Sequence, residues 1–397
     1  MVSNDFFLSP LAYIAYVNGK YSIGHLLEPH KTVEIEDLDS FEPHNETLQD
    51  FVFFRMNELK QFKIRYFELL EKKYRASKSK IGYIETTSVC PYHCVMCPKH
   101  DNKLIRNNIH MGVHTFNMII NQLVNQDEVE LHLFGDPFCD PEIYTRIQTA
   151  NSKGILPSFS TNLISLGNID FHKLAGIKIK YLTISFDAYD ADTLAKIRGK
   201  TDIETWNHCL DVLEHLIQYS KESGAIQYFV FQCIRLNINK NEREKIKNLA
   251  SLNENCFYYE KNLVSFPLSE YHEQNAMDEF TFTKDEKILL YNLIGAKTPF
   301  KCLKVWKKEE MALTTDGDVV PCCLSFNDTV HVGNVQSESI YDIQTGSKYQ
   351  ELRRKIWEGE KIGSICDACS QSNVQYFHSQ IPMDQIQKLR KYCIGQW

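Results

Sequence analysis

Between residues 80 and 262, apolar strand-forming segments alternate with amphipathic helical ones, and this alternation limits the fold more than any other feature. The strand candidates are 80–86 (KIGYIET), 129–134 (VELHLF), 155–161 (ILPSFST), 181–187 (YLTISFD), 227–237 (QYFVFQCIRLN) and 256–262 (CFYYEKN). Helical patterns fall between them, near 115–126, 141–153, 190–221 with a break, and 240–252. Six such alternations predict a parallel sheet with right-handed crossovers. The expected fold class is α/β: a partial (β/α)6 TIM-like barrel with an N-terminal extension and a small C-terminal domain. In a barrel of this kind the chemistry belongs at the C-terminal ends of the strands.

The expected boundaries are an N-terminal extension at 1–79, the barrel at 80–265, a linker at 266–300 and a second cysteine-bearing domain at 301–397. Within the extension, LAYIAYVNGKYSIGHLL reads as a hairpin turning at Asn18-Gly19. The stretch 48–76 reads as one long helix with a broad apolar face. A chain of 397 residues with 43% hydrophobic content can fill a sizeable core. No apolar run reaches the roughly 18 residues a membrane span requires. The N-terminus lacks a basic start with an apolar run and cleavage site, so a cytoplasmic protein is expected, without a membrane partner. A net charge of −7 argues against a nucleic-acid partner.

The chain has 13 cysteines. In a large cytosolic protein, clustered thiols point to metal or redox chemistry rather than disulfides. Cys90, Cys94 and Cys97 follow the first strand at a C-x3-C-x2-C spacing. A structural zinc site would use four ligands. Three close thiolates suit a cubane iron–sulfur cluster with one iron left open, although zinc remains an alternative. Candidate site residues follow at successive strand ends: Gly135, Asp136 and Pro137 after the second, Asn162 after the third. Ser185 and Asp187 share a face of the fourth by strand periodicity, and Arg198 follows. Gln232, Arg235 and Asn237 alternate along the fifth. Cys302, Cys322, Cys366 and Cys369 form a second set, with Cys323 an alternative to Cys322 because neighbouring strand residues face opposite ways. Structural zinc is again the competing reading. His93 and His132 read as local hydrogen-bonding residues, and Cys209, Cys233 and Cys256 as buried free thiols.

The triplet after the first strand resembles the radical SAM superfamily. The resemblance covers about residues 80–370. It implies that the open iron of a [4Fe–4S] cluster binds S-adenosylmethionine, and that one electron cleaves it to a 5′-deoxyadenosyl radical. Met96 departs from the aromatic residue usual before the third cysteine. Phe134-Gly135-Asp136-Pro137 resembles the family's Gly-Gly-Glu-Pro turn, implying contact with the methionine ammonium. The same resemblance implies cofactor contacts from Asn162, Ser185, Asp187 and Arg198, with Arg198 pairing with the cofactor carboxylate.

The GDVVPCC hairpin and the later stretch VGNVQSESIYDIQTGSKYQELRRKI resemble the C-terminal extension called SPASM, or its shorter relative, the twitch domain. Only Cys393 lies beyond Cys369, so four ligands for one closed auxiliary [4Fe–4S] cluster are expected, nearer the twitch pattern. The resemblance implies an electron donor such as flavodoxin or ferredoxin. It also implies a peptide substrate or, alternatively, a small molecule such as a sugar or aminocyclitol. A non-catalytic zinc protein is the alternative of another class. Cys139 and Arg235 are the catalytic candidates, Cys139 as a hydrogen donor.

Overall fold

The computed structural model describes strand backbone at 6–8, 12–17, 20–25, 28–35 and 53–55, and residues 59–99, 107–123, 125–199, 201–261, 302, 304–325, 327, 330–363 and 365–368. The chain divides into two compact units. One comprises Met1–Ser77, Phe280–Trp306 and Gln350–Trp397; the other comprises Lys78–Glu279 and Lys307–Tyr349.

In the first unit, β1 (Phe6–Leu8) pairs antiparallel with β5 (Phe53–Arg55), and β2 (Ala12–Val17), β3 (Lys20–His25) and β4 (Glu28–Ile35) form an antiparallel sheet. The expected hairpin is β2–β3: Val17 pairs with Lys20, leaving two residues between the strands. The long helix expected over 48–76 is shorter. Its first part holds β5, and α1 runs from Leu59 to Ala76. Two adjacent phenylalanines suit a strand with a partner, and pairing with β1 outweighs helical periodicity. Within this unit, Glu71 of α1 and Arg353 form a buried bidentate pair, at 2.5 and 3.0 Å. The Arg353 guanidinium lies over Tyr74, 4.1 Å from the ring centroid.

The second unit carries the sheet the alternation predicts. Its strands are β6 (Tyr83–Ile84), β7 (Glu128–Glu130), β8 (Leu156–Asn162), β9 (Ile179–Ser185), β10 (Ile226–Ile234) and β11 (Cys256–Lys261). They lie side by side in chain order, each parallel to the next. The helices between them are α2 (Val113–Gln122), α3 (Ile143–Ser152), the short α4 (Leu163–Leu166), α5 (Ala191–Arg198), α6 (Ile203–Ser223) and α7 (Arg243–Ser251). The break expected in 190–221 falls between α5 and α6. Gly199 follows α5 at φ 107°, and Asp202 caps α6 by accepting from Thr205 N–H.

β6 and β7 are shorter than expected because their ends leave the ladder. After Glu130, the Phe134 N–H donates to the Glu85 carboxylate instead of a neighbouring strand. β12 (Ala312–Leu313) joins the sheet parallel to β6, followed by the antiparallel β13 (Asp318–Val320) and β14 (Gly333–Asn334). This makes a nine-stranded sheet, and its extension by the hairpin was outside the sequence reading.

The two faces of the sheet differ. Phe159, Leu182, Ile184, Phe229 and Phe231 point to one face and are fully buried. Thr183, Ser185, Val230 and Gln232 point to the other and are half-buried, while Tyr228, Phe257 and Tyr259 there are exposed. Burial of the first face drives folding at about 25 cal/mol per Å². Among the described residues the second face is the more accessible of the two.

Candidate functional site

The loop carrying Cys90, Cys94 and Cys97 follows β6 at the C-terminal edge of the sheet. Contacts within the second unit hold it in place. The Cys97 N–H donates to the Cys94 carbonyl (2.9 Å), and the Val95 N–H donates to the Ile197 carbonyl of α5 (3.0 Å). The Tyr92 hydroxyl meets Thr201 Oγ1 at 3.2 Å. Lys99 Nζ donates to the Ser88 carbonyl at 2.7 Å and to Asn108 Oδ1 at 2.9 Å. Tyr92, Cys94 and Met96 are buried, while His93 is exposed.

Burial pushes the Cys90 thiol up to about 12 and the Cys97 thiol up to about 11. It raises Cys94 as well, with Arg198 opposing. As free groups all three are neutral at neutral pH, so a metal binding here must displace their protons. Among the described residues no three cysteine, histidine or carboxylate side chains converge on a single metal ion. In a cubane [4Fe–4S] cluster each cysteine ligates a different iron. Three soft sulfur donors in one short, braced loop fit such a cluster, which would be held by Cys90, Cys94 and Cys97.

Gly135 and Asp136 are shaped by the protein around them. A Cβ at Gly135 would lie 1.9 Å from the Thr87 carbonyl oxygen, so only glycine allows the turn to press against the strand leading to the cysteines. The Asp136 N–H donates to the Val89 carbonyl at 2.8 Å. Its carboxylate accepts from Phe138 N–H (3.0 Å), Thr161 Oγ1 (3.0 Å), Asn162 N–H (2.8 Å) and Asn162 Nδ2 (2.7 Å). Asn162 Oδ1 in turn caps α4 by accepting from Ser165 N–H at 2.8 Å. Pro137 is buried and opens a 3-10 turn. The Cys139 sulfur stands 3.9 Å from Ser165 Oγ, and burial raises its thiol.

Burial pushes Asp136 up to about 6 from an ordinary 3.8, against its hydrogen bonds. The folded state therefore binds more protons between those values. Asp136's contribution to stability is full below about 3.8 and is lost as pH rises through about 6. The expected loss is on the order of 2–3 kcal/mol. Urea denaturation of cluster-free protein at about pH 4 and about pH 7 measures it. Asp136→Asn is expected to show the smaller drop between the two; an equal drop contradicts the assignment.

On the fourth strand, Ser185 is half-buried on the more accessible face. Asp187, just beyond it, is fully buried. Its Oδ2 accepts from Arg198 Nε at 2.7 Å and pairs with Arg198 Nη2, while Oδ1 accepts from Ile234 N–H at 2.7 Å. Arg198 Nη1 points at the Cys94 sulfur, 3.6 Å away. Burial, the largest influence, disfavours the Arg198 cation, but the charge and hydrogen bond of Asp187 together with the nearby Cys94 and Cys90 sulfurs more than offset it and raise its pKa. Arg198, expected from the resemblance to meet the cofactor carboxylate, lies between Asp187 and the loop of Cys90, Cys94 and Cys97.

Gln232 is half-buried on the more accessible face, in register with Ser185 and Tyr259. Arg235 pairs with Glu260 at 2.9 Å, and Asn237 is exposed beyond the strand end. His132 Nδ1 accepts from Ser160 N–H at 3.1 Å. Cys209, Cys233 and Cys256 are buried, as expected of inert thiols. Cys323 shares a hydrogen bond with the Tyr83 phenol. Cys302, Cys322 and Cys366 are half-buried, and Cys369 and Cys393 lie outside the described residues.

Three functional neighbours escaped the sequence reading. Glu85 is fully buried, accepting from Phe134 N–H at 3.1 Å and Thr315 N–H at 3.3 Å. Thr161 supports Asp136. Asn239 Nδ2 donates to the Asp187 and Ile234 carbonyls, each at 2.8 Å. A charged residue closing the apolar strand YIET was the available signal for Glu85; Asn239 gave none.

Residues 302–370 match the family model of SPASM, an iron–sulfur cluster-binding domain. A comparison with curated proteins gives no match. Among solved structures, native anSMEcpe with bound AdoMet is similar at a TM-score of 0.51 and 14% identity, over 78% of this chain and 95% of the other. Streptococcus suis SuiB bound to precursor peptide SuiA is similar at 0.50 and 13%, over 88% and 90%. Native anSMEcpe with bound AdoMet and Cp18Cys peptide is similar at 0.50 and 13%, over 80% and 96%. At these identities the shared property is the fold: an α/β barrel sheet with a SPASM domain after it.

Proposed function

We propose that this chain, a radical SAM protein with a C-terminal SPASM domain, cleaves S-adenosylmethionine at a [4Fe–4S] cluster held by Cys90, Cys94 and Cys97. The chemistry supplied there is a 5′-deoxyadenosyl radical that removes hydrogen from a substrate, which we take to be a peptide. The observation that carries this reading is the braced three-thiol loop at the C-terminal edge of the parallel sheet. Gly135, Asp136, Pro137 and Asn162, which brace one another beside the loop, and Ser185, Asp187 and Arg198 are the residues that would hold the cofactor. Cys302, Cys322, Cys366 and Cys369 would hold an auxiliary cluster that accepts or relays an electron. SuiB and anSMEcpe, each solved with a peptide bound, support the substrate class.

The test is anaerobic reconstitution with iron and sulfide, then dithionite and S-adenosylmethionine, followed by chromatography for 5′-deoxyadenosine. Its formation is expected, with stimulation by peptides encoded beside the gene. No formation by iron-replete protein would overturn the reading. Stimulation by amino sugars alone would replace the peptide with a small molecule.

A further inference from the structure

We propose that Arg198 sets the reduction potential of the cluster held by Cys90, Cys94 and Cys97, by donating a charged hydrogen bond to the Cys94 sulfur. This rests on the radical SAM reading and assigns a role within its site.

Arg198 is the last residue of α5, and the same helix end carries the cluster loop. The Ile197 carbonyl accepts the Val95 N–H at 3.0 Å. A Cβ at Gly199 would stand 3.7 Å from the Tyr92 ring and 3.9 Å from the His93 backbone nitrogen. Loop and guanidinium are therefore positioned by one piece of backbone. From behind, Asp187 fixes the guanidinium through Nε, at 2.7 Å, and Nη2. Asp187 is itself immobilised: Ile234 N–H binds its Oδ1 at 2.7 Å, and Asn239 Nδ2 binds its carbonyl at 2.8 Å. What remains toward the loop is Nη1, 3.6 Å from the Cys94 sulfur. Only 11% of the Arg198 side chain is exposed, so solvent screens this contact little.

Reduction adds one electron, taken from dithionite in the titration below, and hence one negative charge to the group the three thiolates hold. Hydrogen bonds to sulfur, net charge and burial are what set such potentials. A buried cation donating to one of the three sulfurs stabilises the reduced form. Asp187 lies on the far side of the guanidinium, so the pair presents its positive end to the sulfur. In this role Arg198 makes the cluster easier to reduce through the Cys94 sulfur alone; it is a tuning residue.

The experiment is a redox titration of the electron paramagnetic resonance signal of the three-cysteine cluster, without S-adenosylmethionine. It compares the wild type, Arg198→Lys, and the double variant Arg198→Met with Asp187→Asn, which leaves no orphaned carboxylate. The double variant is expected to lower the ratio of reduced to oxidised cluster about tenfold at a fixed poise, equivalent to 59 mV for one electron. Arg198→Lys, which keeps a charge and loses the fork, is expected to fall between. The auxiliary cluster should keep its potential and serves as the internal reference. A second measurement needs no variant to fold: wild type grown with arginine carrying 15N in its guanidino group should show a 15N hyperfine coupling on the reduced three-cysteine cluster. An unchanged potential in an iron-replete double variant, or no 15N coupling in labelled wild type, overturns the proposal. Failure of the wild type to form any three-cysteine cluster would instead remove the radical SAM reading, and this inference with it.

Discussion

Cys94→Ala is expected to abolish 5′-deoxyadenosine formation, by at least about a thousandfold, while leaving the protein folded. Cys94 is the central member of the triplet and is buried, at 8% exposure. Alanine removes one sulfur atom from a loop whose backbone bonds, Val95 to Ile197 and Cys97 to Cys94, do not involve the side chain. The thermal transition of cluster-free protein should therefore move little. Two thiolates cannot hold a cubane with only one open iron, so iron should fall to about half that of the two-cluster protein. Chromatography of the reductive assay and iron analysis are the measurements. Retained cleavage would reject the assignment of the cofactor site. Loss of cleavage with full iron content would mean that the triplet does something other than bind the cluster.

Gly135→Ala has the second largest expected effect, through a different route. Its Cβ would stand 1.9 Å from the Thr87 carbonyl oxygen and 2.9 Å from the Ser88 carbonyl carbon. Both belong to backbone leading into Cys90, so no side chain can swing aside. Overpacking of this kind costs about 1–3 kcal/mol, sometimes more. The displaced segment also carries the Val89 carbonyl that receives the Asp136 N–H. The variant should therefore lose stability and bind S-adenosylmethionine more weakly, by about tenfold or more. Gly112→Ala is the control, because its nearest neighbour is Thr115 Oγ1 at an ordinary 3.7 Å. Equal stability and affinity in Gly135→Ala and the control would show that the turn tolerates displacement.

The barrel strands were legible because period and burial agree. In β9 and β10, residues of one parity are sealed against helices and residues of the other face the more accessible side, and the alternation YLTIS and YFVFQ carries that directly. The break between α5 and α6 was legible in the Arg-Gly-Lys-Thr-Asp stretch, where Gly199 and the capping Asp202 interrupt a helical pattern. β5 was not, since adjacent phenylalanines suit a helix face as well as a strand; pairing with β1, nearly fifty residues earlier, decides it. The pairing of β12 with β6 joins residues more than two hundred positions apart, beyond any local signal.

At the site, the sequence identified the thiols and the polar strand ends by residue type but did not determine their partners. Asp187 and Arg198 are eleven residues apart, and only the crossover through α5 brings them together beside Cys94. Asp136 sits in a nest of donors from β8, a parallel neighbour whose identity depends on the sheet order. Long-range pairing of this kind decides whether a polar residue faces a ligand or braces a neighbour.

The most direct measurement is electron paramagnetic resonance of anaerobically reduced protein before and after S-adenosylmethionine is added. The account predicts that one cluster signal changes on addition, that the auxiliary signal does not, and that the responsive signal is missing in Cys94→Ala. A spectrum indifferent to S-adenosylmethionine in iron-replete protein, or zinc in place of iron at the triplet, would contradict it.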